Sequence, residues 1–194
     1  MTAQANPHHQ VTHAVTQLEA ALDQVTDASL WSMPTDETAD VLVRLTRVAS
    51  RITELEARVA AHADTVGVAE QVGATSVANW WAHATQMTRT EAHRKTRLAT
   101  NLTHGHTPVR DALAAGDLLP DQARVIIRAV EDLPDHLDPD LARQAEQHLV
   151  SEAAHFDAVA LRHLGKGLLH VIDPDAADAH AAKLLEREEA AAAA

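Results

Sequence analysis

The chain of 194 residues contains no cysteine and no tyrosine, and its aromatic residues are Trp31, Trp80, Trp81 and Phe156 alone. Without cysteine, disulfides, thiolate chemistry and cysteine-ligated zinc are excluded. Glycine is scarce at 6 residues, β-branched runs are few and alanine is abundant, which favours packed helices over sheet. No apolar run approaches the roughly 20 residues of a membrane span, and the N-terminus has neither an apolar signal core nor a basic lead. These absences predict a soluble, cytoplasmic protein with no membrane partner.

Catalytic signatures are absent too. There is no HExxH, Gly-rich phosphate loop, GxSxG elbow or dinucleotide fingerprint. The 14 histidines do not fall at metal-ligand spacing. Glu152-Ala153-Ala154-His155 is a single ExxH, whereas a di-iron bundle needs two of them and two further carboxylates. His8, His9 and His13 sit in a polar terminus, and His104 and His106 in a loop, so surface polarity accounts for them. The sequence predicts no catalytic residue, no metal site and no cofactor.

What is present is charge, unevenly spread. The formal net charge is −12. Residues 1–79 sum to −6, residues 80–128 to +3 and residues 129–194 to −9. Between Gln86 and Arg110, five cations (Arg89, Arg94, Lys95, Arg97, Arg110) stand against one acid, Glu91. An acidic protein repels polyanions at long range, so nucleic-acid binding would have to rely on such a local patch.

Hydrophobic periodicity predicts an all-α chain. A short helix covers Val11 to about Asp27. After Pro34, one long helix runs from Asp36 to about Val68. Its apolar positions step by four and three: Val41, Leu45, Val48, Ile52, Leu55, Val59, then His62 and Val66. That is a heptad stripe, expected either to form the spine of a bundle or to pair with another copy of itself, with the spine favoured. Next come a helix carrying Val77, Trp80, Trp81 and Ala84, then one starting at Arg89, where Thr88 and Glu91 fit a capping box. Of the adjacent tryptophans, one is expected to pack inward and one to lie at the edge. Thr107-Pro108 opens a further helix that Gly116 closes. Helices then begin at Pro120, Pro139 and after Asp157, and a last one follows Asp173-Pro174-Asp175 without any C-cap before Ala194.

The basic helix separates into two faces at 100° per residue. Ala92, Leu98, Ala99 and Leu102 fall on one side, with Lys95 among them able to extend its amine outward. Arg89, Thr90, His93, Arg94, Arg97, Thr100 and Asn101 fall on the other. Guanidinium and carboxamide groups read base edges, and arginines and hydroxyls hold phosphates. A cationic helix after a tight turn is also how many proteins present a helix to DNA. Arg89, His93, Arg94, Arg97 and Asn101 are therefore the candidate DNA contacts. The competing reading is a solvated cationic face paired with the protein's own acids. Arg124 and Arg128, one turn apart, either extend the patch or hydrate a bundle surface. Arg44, Arg47, Arg51 and Arg58 flank the long helix's stripe, where Asp40–Arg44 and Glu54–Arg58 spacing favours ion pairing.

Four segments in order, LVRLTRVASRITELEARVAAHADTVGVAE, GATSVANWWAHATQMTRTEAHRKTRLA, ALAAGDLLPDQARVIIRAVEDLP and GLLHVIDPDAADAHAAKLLEREE, give the chain a family resemblance. It resembles the N-terminal helical domain, itself of unknown function, of actinobacterial HNH-endonuclease-like proteins of the 13E12-repeat family. The likeness covers Thr35 to Glu189. It departs at Leu119, where such proteins often carry a Ser or Thr N-cap. The resemblance implies a longer architecture, in which a nuclease module with His residues and an Asn around a metal ion follows. Nothing in this chain matches that module, so no catalytic residue carries over.

The expected organisation is a polar N-terminus with a short helix over 1–34, a helical domain over 35–189 and a tail over 190–194. The chain would be the front portion of a longer protein. Its expected role is a non-catalytic accessory domain that engages DNA through the basic helix. The alternatives are a protein-interaction or dimerisation module that self-associates through the long helix, and a degenerate, truncated copy.

Overall fold

The computed structural model describes residues 9–134 and 136–172, with side chains through Leu168. Among the described residues there are nine helices and no strand: α1 (Gln10–Asp23), α2 (Thr35–Thr65), α3 (Val68–Gln71), α4 (Val77–Thr85), α5 (Arg89–His104), α6 (Thr107–Ala115), α7 (Pro120–Glu131), α8 (Pro139–Glu152) and α9 (Ala158–Ile172). The all-α expectation holds. The helix expected after Asp173 lies outside the described residues. The chain divides into two compact units at Leu42/Val43, inside α2.

In the first unit, His9 caps α1, its Nδ1 accepting from Val11 N at 3.2 Å. No residue of α1 is buried, and Trp31 is 95% exposed. This tryptophan therefore contributes nothing to a core.

The second unit holds the core. Leu98, Leu102, Val109, Leu113, Leu118, Ile126, Ile127, Leu149 and Leu161 pack with Ala57, Ala60, Ala99, Ala123 and Ala153. Trp80 and Trp81 are both half-buried, and of the two it is Trp81 that packs against this cluster. The α2 helix is present as a 31-residue element, about 46 Å long, but it meets the domain through an unexpected face. Its buried residues are Ser50, Glu54, Ala57 and Ala60. Leu45, Val48, Ile52, Val59 and Val66 of the apolar stripe are instead 38–57% exposed. Three of these four side chains are small, and at one point on that face the chain comes close to α2. A Cβ on Gly116, whose φ is +82°, would sit 2.9 Å from Arg47 O. Gly116 is thus both the left-handed C-cap of α6 and a contact point for α2.

Capping follows the sequence in part. Asp138 caps α8, accepting from Asp140 N at 2.8 Å, and Asp157 caps α9, accepting from Val159 N and Ala160 N at 2.9 Å. Two helix starts are satisfied by a side chain other than that of the N-cap residue. At α6, the N-cap His106 is left-handed and gives no side-chain cap; Glu146 of α8 accepts from Val109 N at 3.3 Å instead. At α7, Leu119 has no side-chain oxygen to offer. Gln122 reaches back so that its Oε1 accepts from Leu119 N at 2.8 Å. Its Nε2 donates to Ala153 O at 2.9 Å and to Phe156 O at 2.8 Å.

Gln122 is buried and serves three backbone groups at once. Gln122→Ala strands them away from water, at about 1–3 kcal/mol for an unsatisfied group. A loss of about 2–4 kcal/mol in urea unfolding is expected; a change below about 1 kcal/mol would mean that water replaces the side chain at no cost.

Candidate nucleic-acid interface

Helix α5 starts as its sequence requires, with Thr88 Oγ1 accepting from Glu91 N at 3.2 Å. Only half of the expected capping box forms, because the Glu91 carboxylate turns to Arg94. The preceding turn is tight: Gln86 closes α4 in the left-handed region at φ 59°, and its Nε2 donates to His83 O at 2.7 Å. On the inner side Ala92, Leu98, Ala99 and Leu102 are buried. Lys95 extends outward as expected, donating to Glu56 Oε2 at 2.6 Å with its Nζ 5.4 Å from the Trp81 ring centroid. Lys95 is thereby committed to α2 and α4.

The structure sorts the five candidate residues into three groups. Arg94 is ion-paired with Glu91, and Asn101 Nδ2 donates to Glu131 Oε1 at 2.7 Å, which ties α5 to the end of α7. His93 faces a cleft of about 320 Å³ beside α2 and α4, together with Thr96, Thr100 and Asp64. Arg89 and Arg97 are exposed, and no carboxylate among the described residues pairs with either. Arg110, the last cation of the basic stretch, pairs with Asp111 at 3.2 Å. The five residues therefore do not form one uniform surface; α5 is a ridge with a different recess on each side.

The recess on the α7 side is the larger and the more basic. It is a groove of about 630 Å³ between α5, α7 and α9, into which Arg97, Arg124, Arg128, Arg162 and Lys166 project alongside Asp121 and Asp132. Arg124 and Arg128 lie one turn apart on α7, and Arg162 and Lys166 one turn apart on α9. Each helix thus presents two cations about 6 Å apart along its axis. Arg124 pairs with Asp121, and Arg128 Nε lies 3.0 Å from Asp132 Oδ2. Among the described residues no carboxylate pairs with Arg97, Arg162 or Lys166. Sequence reasoning singled out Arg124 and Arg128 but missed Arg162 and Lys166. Their signal was available, since both pairs share i,i+4 spacing on amphipathic helices.

The floor of the groove is Val125, Ala129, Ala158, Val159 and Gly165. Gly165 sets its depth: an added Cβ would lie 2.6 Å from the Ala129 Cβ, so α9 approaches α7 closely only because position 165 has no side chain. Chemically the groove offers cations over an apolar floor, which suits an extended polyanion. It holds no nucleophile paired with a base, and among the described residues no cluster of His, Asp or Glu could hold a metal ion.

Residues 39–192 match the family described as a domain of unknown function, DUF222. No curated protein and no solved structure matches the chain.

Two glycines of α9 provide a matched test of the floor. Gly165→Ala should destabilise by about 1–2 kcal/mol, overpacking outweighing the gain in helix propensity. Gly167→Ala, which meets nothing within 4 Å, should stabilise by about 0.5–1 kcal/mol. Thermal unfolding that moves both variants the same way would rule out the close α7–α9 approach.

Proposed function

We propose, for a chain that belongs to the DUF222 family, that the second unit is a non-catalytic module engaging the phosphate backbone of DNA through α5 and the groove between α5, α7 and α9. The observation that carries this reading is the convergence of Arg97 with the Arg124–Arg128 and Arg162–Lys166 pairs on one groove. Arg97, Arg162 and Lys166 are the principal contacts. Arg124 and Arg128 join once phosphate displaces Asp121 and Asp132, since each pair has one well-exposed partner and solvent-screened pairs are worth at most about 1 kcal/mol. On the ridge, Arg89 and His93 are open to a second strand or to base edges. Arg94 and Asn101 contribute only by leaving Glu91 and Glu131, and so rank below the rest. In the nuclease-type, intracellular setting implied by the sequence resemblance, such a module would hold DNA for chemistry performed elsewhere.

A labelled duplex titrated at increasing salt tests this directly. Three to four phosphate contacts give a log–log slope of about −2.7 to −3.6, at roughly 0.9 per contact on B-DNA. Arg162→Ala combined with Lys166→Ala should flatten the slope by about 1.8 and weaken binding to all sequences alike. Absence of duplex binding at low salt, or binding indifferent to Ala at Arg97, Arg162 and Lys166 together, would end the DNA reading.

The exposed apolar stripe of α2 favours a second reading, association between helices, and it stands apart from the groove.

A further inference from the structure

The heptad stripe and the buried face of α2 fall on opposite sides of the same helix. In heptad lettering, Leu45, Ile52, Val59 and Val66 occupy a positions, with Val48 and Leu55 at d. Ser50 and Ala57 are then f positions, Glu54 is c and Ala60 is b, and these are the residues the domain buries. The domain thus covers the b, c and f positions, the back of a coiled-coil helix. Every a position stays at least 40% exposed.

We infer that α2 pairs with α2 of a second copy of this chain, as a parallel two-stranded coiled coil along Leu45 to Val66. Three features identify the occupant as a copy rather than an unrelated helix. First, the a positions are apolar at seven-residue spacing from Leu45 to Val66, and the d positions Val48 and Leu55 are apolar with His62 the one exception, the 3.5-residue period that keeps two like helices in contact. Second, β-branched residues fill three of the four a positions (Ile52, Val59, Val66), which favours two strands. Third, the flanking charge is self-complementary in one orientation. The g positions carry Arg44, Arg51 and Arg58, whereas the e positions Leu42, Ala49, Glu56 and Ala63 include no cation. Parallel pairing sets each g row against the other copy's e row and brings Arg51 to Glu56. Antiparallel pairing sets arginines against arginines. Arg51 meets no carboxylate among the described residues, and the Glu56 side chain keeps 39% of its surface exposed beside Lys95.

This pairing does not rest on the DNA reading, and its test uses the full chain without DNA. Sedimentation equilibrium over a range of concentrations should show a monomer–dimer equilibrium. Ile52→Glu with Val59→Glu should raise the dissociation constant by roughly 100-fold, because it places unpaired charges in the seam. These side chains are exposed in one copy, so the cooperative unfolding of the core should persist in that variant. The chain has no cysteine, so Val66→Cys introduces a single thiol. A parallel in-register pair brings the two thiols together and forms a disulfide-linked dimer on mild oxidation; an antiparallel pair holds them far apart. A monomer at every concentration overturns the proposal. A dimer indifferent to the glutamates, or one that Val66→Cys does not cross-link, overturns it equally.

Discussion

Helix α7 touches more of the second unit than any neighbour could replace, and one side chain fixes where it begins. Gln122 is buried and polar, and it satisfies the first turn of α7, the end of α8 and the turn into α9 together. A carboxamide is the right group because it accepts on one side and donates twice on the other. From that anchor, Ile126 and Ile127 enter the core and Ala129 meets Gly165. Arg124 and Arg128 are then turned to the opposite, solvent-facing side. The groove is therefore a consequence of how α7 is pinned, and its two cationic rows keep their separation because the helices beneath them cannot slide.

Helix existence was legible from periodicity and punctuation: Pro120, Pro139, Asp138, Asp157 and Gly116 act where their chemistry says they should. The buried face of α2 was not. Apolar spacing reveals which side of a helix avoids water but not what covers it, and here the domain takes the side with Ser50, Ala57 and Ala60. Glu54 is buried there as well, and the close approach of Gly116 to Arg47 depends on a glycine far along the chain, a criterion invisible to a count of leucines. The cap of α6 was equally hidden, because Glu146 lies 37 residues from Val109. Glu146 Oε2 also stands 3.4 Å from His106 Nδ1, a nitrogen that is buried and makes no hydrogen bond.

The candidate interface was half legible for a related reason. A dense run such as Arg89 to Arg97 stands out in a linear reading, whereas Arg124–Arg128 and Arg162–Lys166 are sparse pairs that become a patch only when α7 and α9 lie side by side. The dense run also overstated its own availability. Arg94, Lys95 and Asn101 all found carboxylates, on Glu91, Glu56 and Glu131. In a chain with 28 acidic residues, most cations find an acid, and among the described residues the groove still holds three that pair with no carboxylate, Arg97, Arg162 and Lys166.

The same acidity constrains how such a groove can work. A net charge of −12 opposes the approach of any polyanion, and screening confines attraction by the groove to about 10 Å at 0.1 M salt. A single phosphate gains little under those conditions, since Asp121 and Asp132 compete for two of the five cations. A strand presenting several phosphates at fixed spacing gains from all of them at once and displaces both weak pairs in one event. In the proposed DNA-binding role, the competing carboxylates themselves would therefore favour extended polyanions over free phosphate, making the site poor for small anions and leaving it serviceable for long ones.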